Sequence, residues 1–157
     1  MNKNIKLQVA QDGETDIIVR RSFSHPPASV WRAMTDPALI PKWMASMDPM
    51  TRCEMDLRPG GSFYYQYGET EGRSFYFSGP ILTVEAPHHL SFVEYFNGDT
   101  SAGTTVTTDL VAQGSGTRMT IVMRFASAEA RAAGIDSGMT DGFDDVYDKL
   151  ETLLISG

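Results

Sequence analysis

Residues 54 to 65, Glu-Met-Asp-Leu-Arg-Pro-Gly-Gly-Ser-Phe-Tyr-Tyr, constrain this chain more tightly than any other stretch. Cys53, Met55 and Leu57 alternate with Arg52, Glu54, Asp56 and Arg58, the period of two that marks a strand with one buried face. Pro59 fixes its own φ, and Gly60 and Gly61 admit conformations closed to residues with a Cβ. Beyond that turn, Phe63, Tyr65 and Tyr67 take one face of a second strand.

The same alternation recurs on both sides. Residues 17–23 read as a strand that ends at Ser24-His25-Pro26-Pro27, where Pro26 or Pro27 can open a helix. Val30, Trp31 and Met34 mark that helix's apolar side, and Asp36-Pro37 ends it; residues 38–44, with Leu39, Trp43 and Met44, read as a second short helix. Residues 73–84 form a long strand with Phe75 and Phe77 in phase and a bulge or bend at Gly79-Pro80. Residues 90–96, 104–111 and 118–125 are further strands, the last two joined through Gln113-Gly114-Ser115-Gly116. Residues 1–15 read as frayed chain or a short edge strand.

The last thirty residues change period. Ser127 can N-cap a short Ala-rich helix that Gly134 stops. Met139, Phe143, Val146, Tyr147, Leu150, Leu153 and Leu154 then recur at helical offsets, predicting an amphipathic helix near 138–155. Strand, two helices, six strands and a helix make an α+β plan in which one helix lies across an antiparallel sheet.

Composition removes several classes of function. With 157 residues and 41% hydrophobic content, one domain with a sizeable core is expected. The net charge of −7 and the lack of a basic run argue against nucleic acid as a partner. One cysteine, Cys53, excludes an intrachain disulfide, and with three histidines it leaves no zinc-type ligand set. Cys53 points inward on the strand reading, as a small buried hydrophobe. No apolar window approaches a membrane span, and the basic start lacks the apolar core of a signal peptide, so a cytoplasmic location is expected. Phosphate-loop, dinucleotide and G-x-S-x-G motifs do not occur.

Asp-Leu-Arg-Pro-Gly-Gly followed by an aromatic resembles a hallmark of the START-like (SRPBCC) proteins, in the branch related to activators of heat-shock-protein ATPases. The resemblance runs over residues 17–155. Its other marks are Arg21-Ser22-Phe23 before Pro26, the stretch from Val30 to Pro37, Trp43, Phe77-Ser78-Gly79 and Ala86-Pro87. Near the end stand Ser127-Ala128-Glu129-Ala130-Arg131, Gly138-Met139 and Gly142-Phe143. It implies a helix-grip fold: a curved antiparallel sheet of six or seven strands around a long C-terminal helix, with two short helices after the first strand and a hydrophobic pocket. Residues 17–157 would be the single helix-grip domain and residues 1–16 an extension of it. Met44 and Phe143 stand where many relatives carry tryptophan, so a relative's ligand does not transfer. Chaperone partners of the family usually add an N-terminal domain, for which this chain has no room.

By strand and helix periodicity, Trp43, Phe63, Tyr65, Phe75, Phe77, Phe92, Met123, Met139 and Phe143 share the interior and are expected to line the cavity, with Glu94 at its wall. Glu94 falls in register with Leu90, Phe92 and Phe96. A carboxylate there must be paired, solvated by cavity water or protonated, unless it is a strand-end group in solvent. Asp141, Asp144, Asp145 and Asp148 read as a solvated helix face, with Asp145 placed to meet Lys149. The leading expectation is a binding protein for a small apolar or amphipathic molecule, with no cofactor and no metal. Two others stand beside it: a cyclase- or hydratase-type enzyme using Glu94 or a tyrosine as acid-base group, and an interaction module for a chaperone ATPase. A protein partner or a homodimer is left open.

Overall fold

The computed structural model describes residues 6–44, 48–68, 74–138 and 140–156. Strands β1 (Leu7–Asp12) and β2 (Asp16–Phe23) precede two helices, α1 (Pro27–Thr35) and α2 (Ile40–Met44). Six strands follow: β3 (Met50–Met55), β4 (Ser62–Gly68), β5 (Ser74–Glu85), β6 (His89–Phe96), β7 (Thr104–Gln113) and β8 (Gly116–Arg124). Helices α3 (Ala128–Asp136) and α4 (Phe143–Ser156) close the chain. The strands form one open antiparallel sheet in the order β1-β2-β8-β7-β6-β5-β4-β3. An open antiparallel sheet with four helices fits the helix-grip plan.

The sheet has eight strands, not six or seven. The added strand is β1, which pairs with β2 from Leu7↔Arg21 to Asp12↔Asp16. Its residues are exposed apart from half-buried Leu7, so no apolar alternation announces it. It stays in place through the ladder to β2 rather than through burial.

The strand order places the helices. β2 and β3 are consecutive in sequence but lie near opposite edges of the sheet, so the α1–α2 segment must cross from one side to the other. α1 and α2 both pack on α4. Pro27 begins α1, where its missing N–H removes no helical bond. The Trp43 indole donates to the Ala33 carbonyl at 2.8 Å, tying α2 to the end of α1.

The Pro-Gly-Gly turn has two separate reasons for its glycines. Gly60 has φ of +84°, a conformation costly for L side chains. A Cβ on Gly61 would lie 2.1 Å from the Asp56 carbonyl oxygen. The turn docks on β5: the Gly60 amide donates to Ile81 at 2.9 Å, and the Ile81 amide donates to Gly61 at 2.9 Å. At Gly79 a Cβ would meet the Val93 carbonyl oxygen at 1.7 Å, so glycine lets β5 and β6 close up there. The bulge anticipated beside it falls between Ile81 and Thr83.

Two expectations about the C-terminal region need correction. Gly134 lies within α3, whose Ser127 side chain accepts from the Ala130 amide at 3.0 Å; the chain turns after it at Gly138, with φ of +85°. The last helix starts at Phe143 rather than near 138. The Asp141 amide donates to Gly138 and the Phe143 amide to Thr140, which makes this stretch turns. Asp144 and Asp145 then occupy the first helical turn, where acids complement the helix dipole.

α4 seats its second half in the main core. Leu150 is 0% exposed and Leu154 8%, packed with Ile17, Val19, Met119 and Ile121 of β2 and β8. Arg21, nearly buried on the inner side of β2, meets Asp148 at 3.0 Å and places its guanidinium 5.3 Å from the Phe23 ring centre. The Lys149 ammonium lies 3.1 Å from Asp145 on the outer face.

Candidate functional site

α4 does not cover the whole sheet. Its Leu150 and Leu154 fill the space over β2, β7 and β8. Its first half, with Phe143, Val146 and Tyr147, faces instead a cavity of about 360 Å³ bounded by β4 to β8 and α2. Strand alternation builds the opposite wall. Tyr65 and Tyr67 point inward from β4, Phe75 and Phe77 from β5, and Phe92 and Glu94 from β6. Met123 and Ile121 reach it from β8, and Asp48 from the loop before β3. Partly open to solvent, it falls in the size range of small-molecule sites.

The aromatic walls brace one another. Tyr67 stacks on Phe75 with ring centres 5.2 Å apart, and Phe77 meets both edge-on at 6.1 and 6.0 Å. Tyr147 sits 6.1 Å from Trp43 and 6.0 Å from Phe143, which ties the first turns of α4 to α2. Rings this large cannot fill a space of arbitrary shape without gaps, and Met34, Met44 and Met123 line what remains.

Glu94, Tyr65, Tyr67 and Tyr147 are four of the six oxygen-bearing side chains that interrupt the apolar lining, the others being Asp48 and Thr108. Among the described residues none of the four has a hydrogen-bonding or ion-pair partner. Their oxygens are nevertheless not sealed in apolar protein, since no buried side-chain oxygen or nitrogen among the described residues lacks a partner. Desolvation pushes the Glu94 carboxyl from its ordinary 4.5 up to about 7. Burial also raises the phenols of Tyr65, Tyr67 and Tyr147, each raised further by the negative charge of Glu94. The cavity therefore holds a carboxyl that gains or loses its proton near neutrality together with three phenols that stay protonated there.

Of the residues expected at the site, Trp43, Tyr65, Phe75, Phe77, Phe92, Glu94, Met123 and Phe143 lie on the cavity wall. Phe63 does not. It shares the inner face of β4 but is 3% exposed and packs its ring 4.9 Å from Tyr65 and 4.8 Å from Phe92, in a second core cluster with Ile40. Met139 lies outside the described residues. Sequence periodicity sets Tyr67 on the face of Tyr65, Tyr147 on that of Phe143 and Leu90 on that of Phe92, yet the expected lining omitted all three; Val106 and Thr108 come from β7, from which no lining residue was expected.

Other candidate groups have structural partners. Half-buried Cys53 has its thiol pushed up to about 11, chiefly by desolvation, which keeps it protonated and unreactive near neutrality. His89 meets Asp109 at 2.7 Å across β6 and β7, and a His88 ring nitrogen lies 3.0 Å from the Leu110 carbonyl. Among the described residues no cluster of His, Cys, Asp and Glu could hold a metal ion, and no helix is long and apolar enough to cross a membrane.

Comparison with known proteins places this geometry in a family setting. The family described as Activator of Hsp90 ATPase homolog 1-like protein matches residues 24–155. No curated protein matches the chain. Among solved structures, a Rhodobacter sphaeroides protein is 31% identical over 95% of this chain and 98% of its own, with a TM-score of 0.87. A Mycobacterium smegmatis protein is 29% identical, covering 94% and 95% of the two chains, with a TM-score of 0.83. A Nitrosomonas europaea protein is 30% identical, covering 93% and 97%, with a TM-score of 0.82.

Proposed function

Because the chain belongs to the Activator of Hsp90 ATPase homolog 1-like family, within the START-like (SRPBCC) superfamily, we propose that its working part is the cavity beneath α4, which binds a small apolar or amphipathic molecule. The observation that carries this reading is the combination of a cavity of about 360 Å³ with a wall of rings and methionines broken by a few polar groups, the Glu94 carboxyl on the strand wall among them. Such a lining favours apolar burial and leaves a few polar groups to orient what is buried. Trp43, Tyr65, Phe75, Phe77, Phe92, Met123 and Phe143 supply the apolar contacts and Glu94 the polar one.

A neutral solvatochromic dye tests the reading. The folded protein is expected to bind it with one saturable site and a blue-shifted emission at neutral pH. Phe77→Asp, at a half-buried wall position, should abolish that signal while the variant keeps its circular-dichroism spectrum. Val111→Asp, at an exposed position that does not line the cavity, serves as the control and should bind as before. Equal binding by Phe77→Asp and the unsubstituted protein would defeat the proposal.

Catalysis in the same cavity is a second reading, favoured by one observation. A carboxyl titrating at about 7 both holds and releases a proton near neutrality, which suits acid-base work. Under this reading Glu94→Gln, purified from the native host, should retain an intact small molecule that the unsubstituted protein has converted, as seen by native mass spectrometry. Identical bound masses in the two proteins would remove it. Activation of a chaperone ATPase rests on the family's name alone.

A further inference from the structure

We propose that the molecule held in this cavity is a hydrophobic amine, an apolar skeleton carrying one cationic nitrogen, and not a fatty or aromatic acid. The inference rests on the binding reading above and narrows it to a ligand class.

The charges on the wall set the choice. The ionisable lining groups are all acids: Glu94 from β6, Asp48 from the loop before β3, Tyr65 and Tyr67 from β4, and Tyr147 from α4. No lysine, arginine or histidine lines the cavity among the described residues, and β5, β7, β8 and α2 present no titratable group to it. Arg21 is felt at Tyr147, but its guanidinium already faces Asp148 at 3.0 Å and the Phe23 ring. A ligand carboxylate would enter beside Glu94 with no cation to neutralise it, and like charges in a desolvated space repel strongly.

A cationic nitrogen meets the opposite situation. Glu94 has no donor partner among the described residues, so a ligand ammonium supplies a charge-assisted hydrogen bond that those residues do not. The stacked Tyr67–Phe75 pair and the Phe77 ring offer electron-rich aromatic surface to the same cation. The protein's net charge of −7 draws cations toward it and holds anions away. Glu94 also explains how pH would enter. Its carboxyl titrates at about 7 when the cavity is empty, so an amine binding at lower pH must first displace that proton.

Three probes of one skeleton decide the matter: naphthylmethylamine, naphthylmethanol and naphthoate, titrated calorimetrically at pH 8. The amine is expected to bind roughly 10- to 100-fold more tightly than the alcohol, as an ionic hydrogen bond provides, with naphthoate weakest. Between pH 7 and 5 the amine's affinity should fall, by up to about tenfold per pH unit, while the alcohol's stays level. Glu94→Gln, a near-isosteric change, should bring the amine to the level of the alcohol and remove its pH dependence. Naphthoate binding as tightly as the amine, or amine binding unaffected by Glu94→Gln, overturns the inference. If no naphthalene probe binds but the neutral dye does, the amine inference falls and the binding reading stands. If the dye fails as well, both fall.

Discussion

Glu94→Gln should make the folded protein more stable at alkaline pH than at acidic pH relative to the unsubstituted chain. In the folded state desolvation raises the Glu94 carboxyl from its ordinary 4.5 up to about 7, so the folded protein holds this proton more tightly than the unfolded chain does. The sign follows: between those two values the folded state binds more protons, and the Glu94 contribution to stability falls as pH rises. It is most favourable below about 4.5, declines through about 7, and is constant and unfavourable above that. A gap of between two and three powers of ten in the protonation equilibrium corresponds to about 3 kcal/mol. That figure is an upper bound, because Glu94 is half-buried on a cavity wall and water there solvates part of the ionised form. Gln preserves the shape and carries no charge, so it lacks the pH-dependent part altogether. Urea unfolding of both proteins from pH 5 to pH 9 measures the difference. The variant's relative stability should climb with pH, by as much as about 3 kcal/mol, and level off near pH 8. A difference constant across that range would show that Glu94 is solvated like a surface carboxylate, and the reasoning would fail.

Two further outcomes test the packing. Leu150→Ala removes a side chain that is 0% exposed and should cost about 3–5 kcal/mol in chemical unfolding, whereas Phe143→Ala, at the half-buried cavity wall, should cost less; the reverse order would mean that α4 is seated with its other half in the core. Gly79→Ala places a Cβ 1.7 Å from the Val93 carbonyl oxygen and should cost about 1–3 kcal/mol or more, while Gly142→Ala, with nothing within 4 Å, should change stability little; equal effects in thermal melts would refute the close approach of β5 and β6.

Much of the fold was legible before any coordinates. Period-two alternation around Met55, Tyr65, Phe77 and Ile121 defines strands because successive side chains in extended backbone point to opposite faces. Ser127 as a cap, Pro27 at a helix start and the pairing of Asp145 with Lys149 follow from interactions spanning four residues or fewer. β1 reads in the sequence only as frayed chain or a short edge strand, because it is fixed by backbone pairing to β2, which leaves no mark on side-chain pattern. The start of α4 was placed too early because the apolar spacing continues through Met139, while the turn at Gly138 and the bonds after it depend on local backbone geometry.

The candidate site divides along the same line. The residue types and their inward phase were set by the sequence alone, since phase on a strand or helix is a local property: Tyr65 and Phe77 face inward whatever packs against them. Whether an inward residue meets another side chain or empty space is a matter of volume, and volume depends on elements distant in the chain. Only the tertiary structure decided that Phe63 is enclosed by Tyr65 and Phe92 while Tyr67 and Tyr147 stand on open wall. It alone brought Arg21 to Asp148, because that ion pair joins the second strand to the last helix. The carboxyl's raised affinity for its proton is likewise a tertiary property. Desolvation measures how much water the surrounding strands and α4 exclude, and no window of sequence contains that quantity.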